Sequence, residues 1–140
     1  MDLETAAERL VDSVTRGDLD TMAALYADDA VQHHPLAPAP VVGREAIREA
    51  EADLYRMFSD VTVEKRGLCR NGSTVMVEVV LRATNTGPIP MDGEGELPPT
   101  NRPVEIPAVW VLELGPDGLI TEERDYFDAA ALFGQLGIAG

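Results

Sequence analysis

The sequence predicts an α+β domain in which three N-terminal helices pack on a curved, mainly antiparallel sheet. Apolar residues recur at helical spacing in three stretches before Val61, and from Val61 onward they alternate at strand spacing. Tight-turn signals join the later runs. Helices first and hairpin strands last is the α+β order, and a sheet that curves over its helices leaves a pocket between the layers. A chain of 140 residues, 45% of them hydrophobic, fits one domain spanning 1–140 with one core.

The first helix is expected from Asp2 to Arg16, where Leu3, Ala6, Ala7, Leu10, Val11 and Val14 share a face. Gly17 ends it, and the Asp18 side chain is placed to cap a second helix. That helix carries Leu19, Met22, Leu25 and Tyr26 and is expected to stop near Asp28-Asp29. Ala30 to Pro35 reads as a short extended piece, and Pro35 to Pro40 as a loop or edge, because proline lacks the donor a central strand needs. A third helix follows Gly43, with Ile47, Ala50, Leu54, Met57 and Phe58 as its buried stripe. Arg44, Glu45, Arg48, Glu49 and Glu51 are expected on its wet face.

Val61 to Arg70 reads as a strand, and Asn71-Gly72 as a hairpin turn. In the returning strand Val75, Val77, Val79 and Leu81 fall on one face, and Met76, Glu78, Val80 and Arg82 on the other. Gly87 to Pro103 is a long connection of the kind that forms a lid or an interface element. Val104 to Leu114 is apolar on both faces, which places it centrally in the sheet. The last strand follows Pro116-Asp117-Gly118 and leads into an apolar tail, Ala129 to Leu136.

A net charge of −14 repels nucleic-acid backbones and anionic membranes, so neither is an expected partner. The acidic start, Met1-Asp2-Leu3-Glu4, is unlike a secretory leader, and the expected location is cytoplasmic. The lone Cys69 allows no internal disulfide, and neither histidine has metal-ligand spacing. With no glycine-rich phosphate loop, no metal, flavin or nicotinamide cofactor is expected. The long strands offer more apolar surface than three helices can cover, which points to a homodimer through the outer face of the sheet. Light scattering at micromolar concentration should show a dimer; a monomer alone would count against it.

Asp125 is the first candidate for chemistry. It lies between Arg124 and Tyr126 in a strand rich in aliphatic and aromatic bulk, and a purely structural strand gains nothing from a carboxylate there. Leu119 and Phe127 share its parity while Ile120 and Tyr126 do not, so a surface pairing with Arg124 stays open beside a cavity position. In a cavity, desolvation raises a carboxyl pKa toward the range useful for proton transfer.

Four segments together carry a resemblance. They are Val31-Gln32-His33-His34-Pro35, Gly43-Arg44-Glu45-Ala46-Ile47, Pro98 to Val104 with Asn101 where glycine is usual, and Gly118 to Asp128 followed by Leu132 to Gly137. In this order and spacing the chain resembles the SnoaL-like polyketide cyclases of the nuclear transport factor two-like superfamily. That superfamily also includes ketosteroid isomerase and scytalone dehydratase. The resemblance implies a cone-shaped α+β barrel.

Arg124 to Asp128 is also similar to the end of limonene epoxide hydrolase, which implies a catalytic role for Asp125. That enzyme's arginine–aspartate pair is absent here, where the stretch reads Val77-Glu78-Val79. The same resemblance favours His33 over His34 as acid/base partner. Tyr26, Phe58 and Trp110 read most simply as core, but the core of a hollow barrel lines its pocket, so with His34 and Phe127 they are the expected contacts of a hydrophobic small-molecule substrate. The implied reaction is a cofactor-free aldol closure, with Asp125 moving a proton at the ketone that becomes the ring alcohol. Hydroxylation, isomerisation and epoxide hydrolysis occur on the same scaffold, and a non-catalytic binding or dimerisation module is the rival reading. An enclosed pocket reaching Asp125 and His33 separates the enzyme from the module.

Overall fold

The computed structural model describes residues 2–91, 93 and 95–138. Helix α1 (Leu3–Arg16) buries Ala6, Ala7, Leu10 and Val14, and the Thr5 amide donates to Asp2 Oδ1 at 2.8 Å to cap it. Gly17 terminates it in the left-handed conformation at φ 66°, which glycine adopts without a Cβ clash. Helix α2 (Leu19–Ala23), capped by Asp18, is shorter than the sequence suggests. The chain leaves it at Ala24 and enters strand β1 (Tyr26–His33), because Tyr26 is drawn into the sheet opposite Ile120 and is only 1% exposed. Pairing with a neighbour that buries a whole tyrosine outweighs two more residues of helix.

After β2 (Val41–Val42) comes helix α3 (Arg44–Met57), whose Arg44 donates to the Tyr26 carbonyl at 2.7 and 2.9 Å and so docks the helix start on β1. Phe58 is not part of the helix; it opens strand β3 (Phe58–Asn71), buried, as the chain straightens. β4 (Thr74–Asn85) returns across the expected Asn71-Gly72 turn and buries Val75, Val77 and Val79. The connection beyond it holds a small separate hairpin, β5 (Ile89–Pro90) with β6 (Glu96–Leu97). β7 (Pro103–Leu114) and β8 (Ile120–Phe127) complete the main sheet, and the apolar tail is a fourth helix, α4 (Ala129–Leu136).

The six main strands lie in the order β2-β1-β8-β7-β4-β3, all antiparallel except β1 with β8. β7 is central, as its two apolar faces suggest. The sheet curls around the helices but stays open between β2 and β3, so the barrel expected from the resemblance is an unclosed cone. Among the described residues no helix is long and apolar enough to cross a membrane.

Buried Asn85 clamps the sheet to the end of α3. Its Nδ2 donates to the carbonyls of Met57 (2.9 Å) and Gly87 (3.1 Å), and its Oδ1 accepts from the amide and hydroxyl of Thr100 at 2.7 and 3.0 Å. Asn85→Ala leaves these buried groups without partners and is expected to cost about 2 kcal/mol in urea unfolding. A loss below about 0.5 kcal/mol would show that water replaces the clamp.

Candidate functional site

Strand β8 builds the site through its alternation. Glu123, Asp125 and Phe127 face the helices, whereas Glu122 and Arg124 lie on the outer face. Opposite them in register stand Gln32 on β1, paired with Glu123, and Trp110 and Ala108 on β7, paired with Asp125 and Phe127. With α1, α2 and α3 these strands enclose a cavity of about 370 Å³. That volume lies near the lower end of the roughly 300–1,000 Å³ typical of small-molecule sites. Leu10, Val14, Met22, Leu54, Met57 and Ile106 make most of its wall apolar.

Three carboxyl groups interact in this apolar space. Glu123 is 4% exposed; Tyr26 Oη donates to its Oε1, and Gln32 Nε2 donates to its Oε2 at 3.4 Å. Among the described residues no lysine or arginine pairs with it. Asp125 is hydrogen-bonded to Glu123, while its Oδ1 is buried with no partner. Burial first, then the charge and hydrogen bond of Glu123, then Glu51, hold the Asp125 carboxyl well above the usual carboxylate range. Glu51, on α3, is pushed up to about 7, by burial first and then by the charge of Glu123. The same burial and the Glu123 charge raise Tyr26 well above the usual phenol value, so it stays a hydroxyl donor.

The sequence-predicted residues divide cleanly. Tyr26, His34, Phe58, Trp110, Asp125 and Phe127 all line the cavity. His33 does not: its Nε2 lies 3.0 Å from Glu122 Oε2 on the outer face, within an ion-pair chain from Glu122 to Arg124 (2.6 Å) to Glu113 (2.8 Å). The preference for His33 is thereby reversed, because alternation along β1 sends Gln32 inward and His33 outward, and His34 turns in beyond the strand end. His34 stacks edge-on against Phe127 with ring centroids 5.2 Å apart, and burial lowers its pKa, partly offset by Glu123. Arg124, committed to Glu113 and Glu122, is not the partner of Asp125. None of the described residues from 87 to 103 lines the cavity; Leu36 and Ala37 of the proline-rich segment and Val41 of β2 do.

Sequence reasoning missed Glu51, Glu123 and Gln32. Its charge places Glu51 on the wet face of α3, yet it sits four residues after Ile47 and three before Leu54, inside the apolar stripe. Glu123 lies two residues before Asp125 and must share its face in a strand. Among the described residues no cluster of His, Cys, Asp or Glu is arranged to hold a metal ion.

The sequence matches the family model of the SnoaL-like domain over residues 7–123. Among solved structures it is similar to IdmH of Streptomyces antibioticus, a candidate polyketide cyclase, at 27% identity over 96% of this chain and 98% of that one, with a TM-score of 0.76. SalBIII, described as an epoxide hydrolase/cyclase-like enzyme with a role in pyran ring formation in the polyether salinomycin, is 24% identical over 91% of this chain and 92% of that one, TM-score 0.74. A protein of ketosteroid isomerase-like fold from Catenulispora acidiphila, determined in complex with trimethylamine, is 22% identical over 96% and 93% of the two chains, TM-score 0.78. With its open cone of helices and sheet and its match over most of the chain, the protein belongs to the SnoaL-like family of the nuclear transport factor two-like, ketosteroid isomerase-like fold.

Proposed function

We propose that this chain is an enzyme that closes a ring on a hydrophobic, polyketide-type substrate by general acid–base chemistry without a cofactor. The observation that carries the reading is the pairing of two unlike carboxyl groups in one apolar cavity. Burial and the neighbouring Glu123 and Glu51 favour the protonated form of Asp125, whose Oδ1 is buried without a partner, while burial pushes Glu51 up to about 7. Environments that push two carboxyls apart assign an acid and a base.

In an aldol closure Glu51 takes the proton from a carbon flanked by carbonyls, and that carbon attacks a ketone. Asp125 gives its proton to the ketone oxygen, which becomes the ring alcohol. The proton on Glu51 then returns through solvent to Asp125, so no group is consumed. Glu123 is a positioning residue: fixed by Tyr26 and Gln32, its charge adds to burial in favouring the protonated form of Asp125. Apolar walls and the rings of Trp110 and Phe127 fold the substrate, and holding its two ends together supplies much of the rate.

A second ring closure fits the same groups. SalBIII, named for pyran ring formation, shares the fold. A protonated Asp125 suits an epoxide oxygen as well as a ketone oxygen, with Glu51 taking the proton of an attacking hydroxyl. Incubating the protein with a linear poly-β-ketone and with a hydroxy-epoxide, and following the cyclic products by mass spectrometry, separates the two. Failure to accelerate either closure would favour a binding module.

Glu51 gives the pH dependence a definite sign. Its folded pKa of about 7 lies above the ordinary 4.5, so the protonated form favours the fold. That contribution is complete below about 4.5 and is lost as pH rises through about 7. Glu51→Gln, which cannot ionise, should therefore melt with the wild type near pH 4.5 and above it at pH 8. In activity, kcat/KM should rise through about pH 7 as the base ionises, and Glu51→Gln should abolish that limb. A melting difference that stays constant across this range would show that Glu51 titrates as a surface carboxylate.

A further inference from the structure

The charge of the cavity specifies more about the ligand than its hydrophobic wall does. Among the described residues four acidic ones line it, Glu51, Asp53, Glu123 and Asp125, and no lysine or arginine does. Asp53 is committed to Arg56 at the exposed helix surface, but the other three face inward without a counter-cation among the described residues. A buried anion with no positive partner costs free energy, and folds normally pair it. Here the chain carries eleven lysines and arginines, and even Arg124, next in sequence to both Glu123 and Asp125, is turned outward to Glu113 and Glu122. Tyr26 and Gln32 satisfy Glu123 only as neutral donors. The Asp125 Oδ1 atom is left with no hydrogen-bond partner at all. The aromatic rings of Phe58, Trp110 and Phe127 line the same cavity, and aromatic rings attract a cation as well as an apolar body.

We propose that the ligand of this cavity is a hydrophobic amine bound as its ammonium ion, with the positive charge seated between the Glu51–Glu123–Asp125 carboxyls and the aromatic wall. The proposal rests on the acid–base reading of the same cavity and deepens it. An anionic ligand meets Glu123, and Glu51 once it ionises, with nothing to balance them, and a neutral one leaves Glu123 uncompensated. An ammonium group on the substrate supplies the charge that the protein withholds. In the aldol closure it also lies near the forming enolate, where a cavity of carboxyls would otherwise oppose the developing negative charge.

Trp110 is the only tryptophan and lines the cavity, so its fluorescence reports occupancy. The probes are N,N-dimethylbenzylamine, which is protonated at pH 7.5, its uncharged isostere isobutylbenzene, and the anion phenylacetate. The amine should bind saturably and about tenfold more tightly than isobutylbenzene, be displaced by it, and leave phenylacetate without detectable binding. Glu51→Gln should reduce the advantage of the amine and leave isobutylbenzene unchanged. Equal affinity for amine and isostere, or tighter binding of phenylacetate, would overturn the proposal. Carbon-13 carboxyl spectra of the same wild-type samples keep the two readings apart. If the amine has no advantage but an aspartic acid stays protonated at pH 7.5, the ligand class alone is wrong. If every aspartate titrates normally, the acid–base reading falls with it.

Discussion

Replacing Asp125 with asparagine is expected to lower turnover by about 10²–10⁴-fold, the usual scale for loss of a positioned acid or base. The melting temperature should hold or rise at the same time. Asparagine matches aspartic acid in shape, and its amide can donate to Glu123 as the carboxyl proton does, so the buried contact survives. What disappears is the transferable proton. The buried carboxyl also costs more to keep near another acid than a neutral amide does. Substrate affinity should change little, because the apolar wall from Leu10 to Ile106 supplies most of it. A structural aspartate gives the opposite pattern, lower stability with activity retained, so kcat measured beside Tm distinguishes the two.

Gly87→Ala is expected to be the most damaging small change in the fold. A Cβ at this position would lie 1.8 Å from the Arg56 carbonyl oxygen and 2.9 Å from its carbon, both backbone atoms at the end of α3. No side-chain rotation relieves such a clash; the helix end or the strand exit must move. That movement breaks the Thr86 and Gly87 amide bonds to the Met57 carbonyl, 3.1 and 3.0 Å, and loosens the Asn85 clamp beside them. The cost should be about 3 kcal/mol or more, a fall in Tm of about 10 °C for a domain of this size. The cavity should loosen too, since Met57 and Phe58 form part of its wall. A variant melting within about 2 °C of wild type would show that the helix end yields without strain.

Much of the fold was legible because local chemistry and tertiary demand agree. Asp2 and Asp18 cap helices, Gly17 takes the left-handed turn, and Asn71-Gly72 closes the long hairpin, each for reasons held within a few residues. The start of β1 was not legible. Met22, Leu25 and Tyr26 keep helical spacing, and only the parallel partner β8, 94 residues later at Ile120, draws Tyr26 into a strand. A register shift against β8 between Tyr26 and Val31 is likewise set by the partner strand and has no local signal.

The site was half legible for a related reason. Asp125 stood out because it interrupts apolar bulk. Charge hid the rest: Glu51 and Glu123 look like solvated residues until the cavity turns their positions inward. Burying three acids together is costly as folding and useful as chemistry, so a reading that minimises cost sends them outward. The ring of Trp110 and the side chain of Tyr26 were core and lining at once, as expected where a core is hollow.

The retained proton on Asp125 is the claim on which the mechanism stands, and it needs no substrate to test. Protein labelled with carbon-13 at aspartate side-chain carboxyls, titrated from pH 3 to pH 9 in wild type and Asp125→Asn, reads it directly. One resonance in the wild type should remain that of a protonated carboxylic acid at pH 7 and be missing from the variant. If instead every aspartate titrates near the ordinary value of about 3.9, Asp125 is an ionised carboxylate at neutral pH and cannot be the proton donor.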